Sequence, residues 1–159
     1  MRNGATPDWS IVAATLGTSV PADYRAFVEC YGAGRIGNFL WVFVPAAPTP
    51  AIDLAAQAAM QAEVLDALRA SGERIEEQSL PATGGLLSAG MSDNGDVIHW
   101  RTRGAPNAWT VVVQEARGPI FVAYDTDLTG FLAGELDGSI RCPAFPDDLP
   151  PDWLELEPA

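Results

Sequence analysis

Apolar residues recur along this chain in two rhythms, helical in the first half and strand-like in the second. Tyr24, Phe27, Val28 and Tyr31 follow the i, i+3, i+4, i+7 rule and predict a helix with one apolar stripe. Pro21 suits the first helical position, Asp23 puts negative charge in the first turn, and Gly32 supplies the stop. Upstream, Asp8 caps a short helix whose apolar side is Trp9, Ile11, Val12 and Leu16, with Gly17 at its end. Residues 35–37 are extended, residues 39–44 form an unbroken apolar run fit for a buried strand, and the Pro-rich residues 45–50 make a stiff connector. Residues 53–71 predict the longest helix, with Leu54, Ala58, Val64, Leu65 and Leu68 inward.

From residue 86 the rhythm changes to strands. Residues 86–91 and 96–102 flank Asn94-Gly95, a two-residue hairpin signal. Along the second strand Val97, His99 and Arg101 face one way, and Ile98, Trp100 and Thr102 the other. Residues 109–115 contain Val111-Val112-Val113, which suits a central strand buried on both faces, and residues 121–124 are extended. Asp125 or Thr126 then caps a last helix carrying Leu128, Phe131, Leu132 and Leu136, which ends at Gly138. Beyond Cys142, closely spaced Pro and Asp predict an irregular tail, docked by Trp153 and Leu154 and frayed from Glu155. Helices first and last, with an antiparallel meander between, predict an α+β class. The expected architecture is a single domain over residues 1–159: a mostly antiparallel twisted sheet of about five to six strands flanked by about four helices. Its core spans about residues 8–138, and residues 139–159 form a Pro-rich acidic C-terminal tail.

The helix carrying Val20-Pro21, Asp23-Tyr24-Arg25, Phe27-Val28, Tyr31-Gly32, Gly34 and Ile36, followed by an apolar strand ending in Pro45, resembles the SUKH superfamily. That superfamily takes in fungal cell-wall-synthesis regulators and many bacterial immunity proteins. Tyr31-Gly32-Ala33-Gly34 stands where many members have an Asn-Gly-Gly type turn, and the resemblance covers roughly residues 9–138. It implies a protein-binding module, most often one that neutralises a toxin. A regulatory or scaffold module like the fungal relatives is the alternative, and an unrecognised enzyme the third.

Charge narrows the partners. Nine cations against 21 acids leave a formal charge of −12, which repels phosphate backbones and draws a basic partner. No nucleic-acid partner is expected. No lysine is present, so Schiff-base and P-loop lysines are excluded. The N-terminal residues hold no apolar signal region and no run is long enough to span a bilayer, so no membrane association and a cytoplasmic setting are expected.

Candidate chemistry is sparse. Gly32-Ala33-Gly34-Arg35-Ile36-Gly37 matches G-x-G-x-x-G, but a helix precedes it and a strand follows, the reverse of a dinucleotide-binding turn. Asp125-Thr126-Asp127-Leu128-Thr129-Gly130 opens like a calcium loop, yet Leu136 stands where a bidentate Glu is needed. His99 is the one histidine and Cys30 and Cys142 the two cysteines, too few at these spacings for a zinc site. Cys30 falls at a helix C-terminus, where the dipole disfavours a thiolate, and His99 reads as a half-buried strand residue. No catalytic residue, cofactor or metal ligand is therefore expected.

What remains is an interface. Trp41 and Trp109 read as core, whereas Trp100 beside Arg101 and Arg103 has the composition of a protein-binding surface. Asp93 and Asp96 flank the hairpin, and Asp125 and Asp127 lie where a strand meets the last helix. The expectation is a non-enzymatic protein whose candidate partner-binding residues are Asp93, Asp96, Trp100, Arg101, Arg103, Asp125 and Asp127, meeting a basic partner. By the resemblance that partner is a toxin domain.

Overall fold

Short turns return the strands of residues 34–42 and of residues 86–124 beside their predecessors, and residues 43–85, which carry a helix, join the two sets into one sheet. The computed structural model describes residues 6–147 and 156–158. Its helices are α1 (Trp9–Leu16), α2 (Ala22–Tyr31), α3 (Leu54–Ala70) and α4 (Leu128–Asp137). Its strands are β1 (Gly34–Ile36), β2 (Leu40–Val42), β3 (Leu86–Ser92), β4 (Val97–Arg101), β5 (Thr110–Gln114), β6 (Phe121–Tyr124) and β7 (Leu156–Pro158). These strands pair antiparallel with one another, in the order β6-β5-β4-β3-β2-β1-β7. The class is α+β, as the alternation of periods implies.

Two expectations about the C-terminal end need correction. The backbone of residues 156–158 does not fray but pairs with β1, Ile36 opposite Leu156 and Gly34 opposite Pro158, which makes the sheet seven-stranded. The core also reaches past residue 138: Cys142 and Phe145 are buried in it, and the Phe145 ring meets Phe39 and Phe131 at 5.6 and 6.1 Å. Trp153 and Leu154 lie outside the described residues.

The main core fills one face of the sheet. Tyr24 and Val28 of α2 and Leu128, Phe131 and Leu132 of α4 pack there against Leu40, Val42, Ile98, Trp100, Val111 and Val113. A smaller cluster on the other face joins Leu65 of α3 to Leu86 and Val112. Val111, Val112 and Val113 are all fully buried, so β5 is covered on both sides, as its apolar run implies.

Helix caps follow the sequence closely, and inner faces less so. Asp8 accepts from the Ser10 and Ile11 amides, Asp53 from Ala56, and Gly17 and Gly138 take the left-handed conformation that ends α1 and α4. Asp127, one or two residues later than expected, is the N-cap of α4. The inward sets shift: Ile11 is 63% exposed, Tyr31 49% and Val64 38%, while Gln57 and Gln61 take buried places on α3 beside Leu54 and Leu65. The physical reason is that a helix meets the sheet along a stripe narrower than its apolar set, and neighbouring elements decide which edge of that set is covered.

Candidate protein-binding surface

Strand alternation sets Arg35 of β1 and Trp41 of β2 on the face opposite the main core. Both are half-buried, while their neighbours Ile36, Leu40 and Val42 point inward. They are directly paired across the two strands. The Arg35 guanidinium lies 5.4 Å from the centroid of the Trp41 ring, within cation–π reach. Asp93, from the β3–β4 turn, binds both: Arg35 Nη1 donates to one carboxylate oxygen at 3.0 Å and Trp41 Nε1 to the other at 3.1 Å. Arg35 Nη2 also donates to Asn38 Oδ1 at 2.9 Å, and Asn38 sits at φ 51° in the connecting turn. Three strand ends thus converge on one carboxylate, which holds a Trp and an Arg in fixed, partly solvent-facing positions.

Of the sequence-predicted residues, only Asp93 belongs to this cluster. Asp96 is 4% exposed and spent internally: it accepts from Ser92 Oγ at 2.6 Å and from the Ala116 amide at 3.0 Å, tying the hairpin to the start of the next turn. Trp100 has no exposed surface. It is a core residue and cannot present a binding face, because β4 is flanked on both sides and Trp100 points toward α2. Its ring stands edge-on to Tyr24, centroids 4.9 Å apart, and 6.0 Å from Trp109. Trp41 was expected in the core and Trp100 at the surface; the two exchange roles.

The remaining predicted residues gather at the far end of β4. Arg101 makes a two-pronged ion pair with Glu77 at 2.8 and 3.0 Å, on the face away from the main core, and Glu77 raises its pKa. Arg103 is exposed. Asp125 and Asp127 are exposed at the end of β6 and the start of α4; Asp127 caps α4 through the Gly130 amide at 2.8 Å. The register Trp100–Val111–Tyr124 places this group near one end of the sheet, and Asp93 lies past the other end of β4. Five strand residues at about 3.3 Å each separate them by roughly 16 Å, so the seven residues do not form one surface.

The titratable residues weighed for chemistry are also apart. His99 is 1% exposed and lies under the sheet, its Nε2–H donating to Gln114 Oε1 at 2.9 Å, and burial lowers its pKa to about 4. Cys30 is exposed on α2 and Cys142 buried, and both thiols are free. Glu135 is buried, its carboxylate accepting the Cys142 amide at 2.6 Å; burial raises its pKa. Among the described residues no three His, Cys, Asp or Glu side chains converge on a point that could hold a metal ion, and no helix is long and apolar enough to cross a membrane.

No family model, curated protein or solved structure matches this chain.

Arg35 and Trp41 were missed as surface residues because an apolar run of strand length does not say which of its members face outward. The alternation Leu40-in, Trp41-out, Val42-in is the only signal, and it needs the register to be read.

Proposed function

We propose that this chain is a protein-binding domain that captures a basic protein, and that the partner is a toxin domain it neutralises. The observation that carries the binding reading is the Arg35–Trp41–Asp93 cluster. Trp and Arg are the side chains most often found to dominate protein interfaces, and here both are held in place before any partner arrives. The net charge of −12 supplies long-range attraction toward a basic partner. The toxin rests on the likeness of the Val20–Ile36 sequence to SUKH immunity proteins. No second reading is favoured by a specific observation.

The test pairs the chain with a toxin domain encoded beside its gene. Co-expression is expected to restore growth, and calorimetry to show a one-to-one complex. Trp41→Ala, with an unchanged circular-dichroism spectrum, is expected to weaken that complex by about 2 kcal/mol or more, as interface anchors do. A neighbouring toxin that is neither bound nor neutralised overturns the toxin assignment. A complex indifferent to Trp41→Ala removes this cluster from the interface.

A further inference from the structure

On the helical face of the sheet, away from Arg35 and Trp41, α2 and α4 leave an apolar groove of about 520 Å³. Phe27, Cys30 and Tyr31 form one wall and Leu132, Ala133 and Leu136 the other, with Ile36 of β1 also lining it. The two helices start together, since Asp23 of α2 accepts the Thr129 amide of α4 at 3.0 Å. Each has ten residues, so the groove runs about 15 Å, the length of nearly three helical turns. Tyr31, at 49% exposed, is among the large apolar residues most open to solvent.

Among the described residues, Asp23 is the one charged residue lining this groove, and it is an acid. Asp127 and Asp137, at the two ends of α4, are exposed acids, while Glu135 is buried against the Cys142 amide. The one cation of α2, Arg25, lies 5.6 Å from the Trp9 ring centroid and does not line the groove. Arg141 lies past the end of α4 and does not line the groove.

From the groove's shape and charge together we infer that it is a docking site for an amphipathic helix of a basic protein. The helix lays an apolar i, i+3, i+4, i+7 stripe between α2 and α4, with Lys or Arg at its margins facing Asp23, Asp127 and Asp137. This deepens the protein-binding reading by naming the partner's recognition element, at a place separate from Trp41.

Cys30 is the reporter, because it is exposed in the groove wall while Cys142 is buried. The probe is a synthetic peptide of about 14 residues with Leu at the stripe positions and Lys elsewhere, compared with a twin in which Glu replaces every Lys. The readout is the rate at which a fluorescent maleimide alkylates Cys30 in the full-length chain. The Lys peptide is expected to slow alkylation about tenfold at saturation, less so at high salt, and the Glu twin to leave it unchanged. Ala133→Arg, at an exposed position, is expected to abolish protection by filling the groove and cancelling the charge of Asp23. The two peptides on the unaltered chain keep the test decisive if that variant misfolds.

Equal protection by both peptides, or by neither, overturns the inference. So does a Cys30 that is slow in the free chain and becomes reactive in Trp153→Ala/Leu154→Ala, which would make the chain's own C-terminal segment the occupant. A Cys30 that becomes reactive on dilution, with a dimer in sedimentation, would make the occupant a second copy. Since Trp41→Ala tests the other surface, loss of one result leaves the other standing.

Discussion

The Tyr24 ring meets the Trp100 ring edge-on at 84°, and the Tyr24 hydroxyl donates to the Phe43 carbonyl at 2.6 Å. One side chain thereby joins α2 to β4 and to the chain just after β2, all without solvent contact. Trp100→Ala is expected to cost about 3–5 kcal/mol in urea denaturation, as for other buried aromatics. Phe27→Ala should cost less, since Phe27 is only half-buried against the core. Equal losses would place Phe27 in the core alongside Trp100.

Asp93→Ala removes the shared acceptor of Arg35 and Trp41 at a position that is 37% exposed. Exposed ion pairs contribute little, so the expected stability loss is under about 1 kcal/mol. Partner affinity should fall much further, and the association rate should become less sensitive to salt. Asp96 is left unaltered in that test, because its buried carboxylate holds the hairpin together. Stopped-flow association across a salt series measures the effect; a rate that Asp93→Ala leaves unaltered removes Asp93 from the encounter surface.

Acid should weaken the fold through His99. Its pKa falls from 6.5 to about 4 on folding because burial disfavours the imidazolium. The unfolded chain therefore binds the proton first, and stability drops as pH falls from about 6.5 toward 4. A shift of that size corresponds to on the order of 3 kcal/mol. Glu135 works in the opposite direction, since its raised pKa makes the folded state take up a proton earlier than the unfolded one. Denaturation midpoints of His99→Gln against wild type between pH 7 and 4 isolate the histidine; parallel profiles would contradict its buried neutral state.

Glu135→Ala leaves the Cys142 amide buried without its 2.6 Å acceptor, at an expected cost of about 1–3 kcal/mol, whereas Glu135→Gln keeps an acceptor and should lose less. The comparison by thermal denaturation tests whether the turn after α4 is held by that carboxylate. Similar losses in the two variants would assign the effect to charge rather than to the hydrogen bond.

Gly90 follows the register shift in β3, and a methyl group there would come within 2.5 Å of the Trp41 carbonyl oxygen. Backbone cannot yield as a flexible side chain can, so Gly90→Ala is expected to cost about 2 kcal/mol or more and to disturb Trp41 fluorescence. An unchanged emission spectrum with unchanged stability would mean that β2 and β3 move apart freely.

Local chemistry was legible in the sequence wherever its cause is local. Asp8 as a cap, Gly17 and Gly138 as left-handed stops, a turn near Asn94-Gly95 and the doubly buried Val111-Val112-Val113 all depend on neighbours a few residues away. Single-sequence patterns also implied the antiparallel meander and the α+β class, because the spacing of apolar residues reports the period of each element. The acidic balance was likewise present in composition alone.

Tertiary structure alone decided which tryptophan faces solvent. Trp41 and Trp100 both sit in apolar strands, and the difference between them is the face each takes: Trp100 lies under α2, against Tyr24, while Trp41 lies on the face opposite the main core. The same holds for the Asp93 cluster, assembled from β1, β2 and the β3–β4 turn across as many as 58 positions in sequence, and for β7, whose backbone pairs with β1 from the opposite end of the chain. Spacing within an element reports its period; which of its faces is covered depends on elements far along the chain, and only folding brings them together.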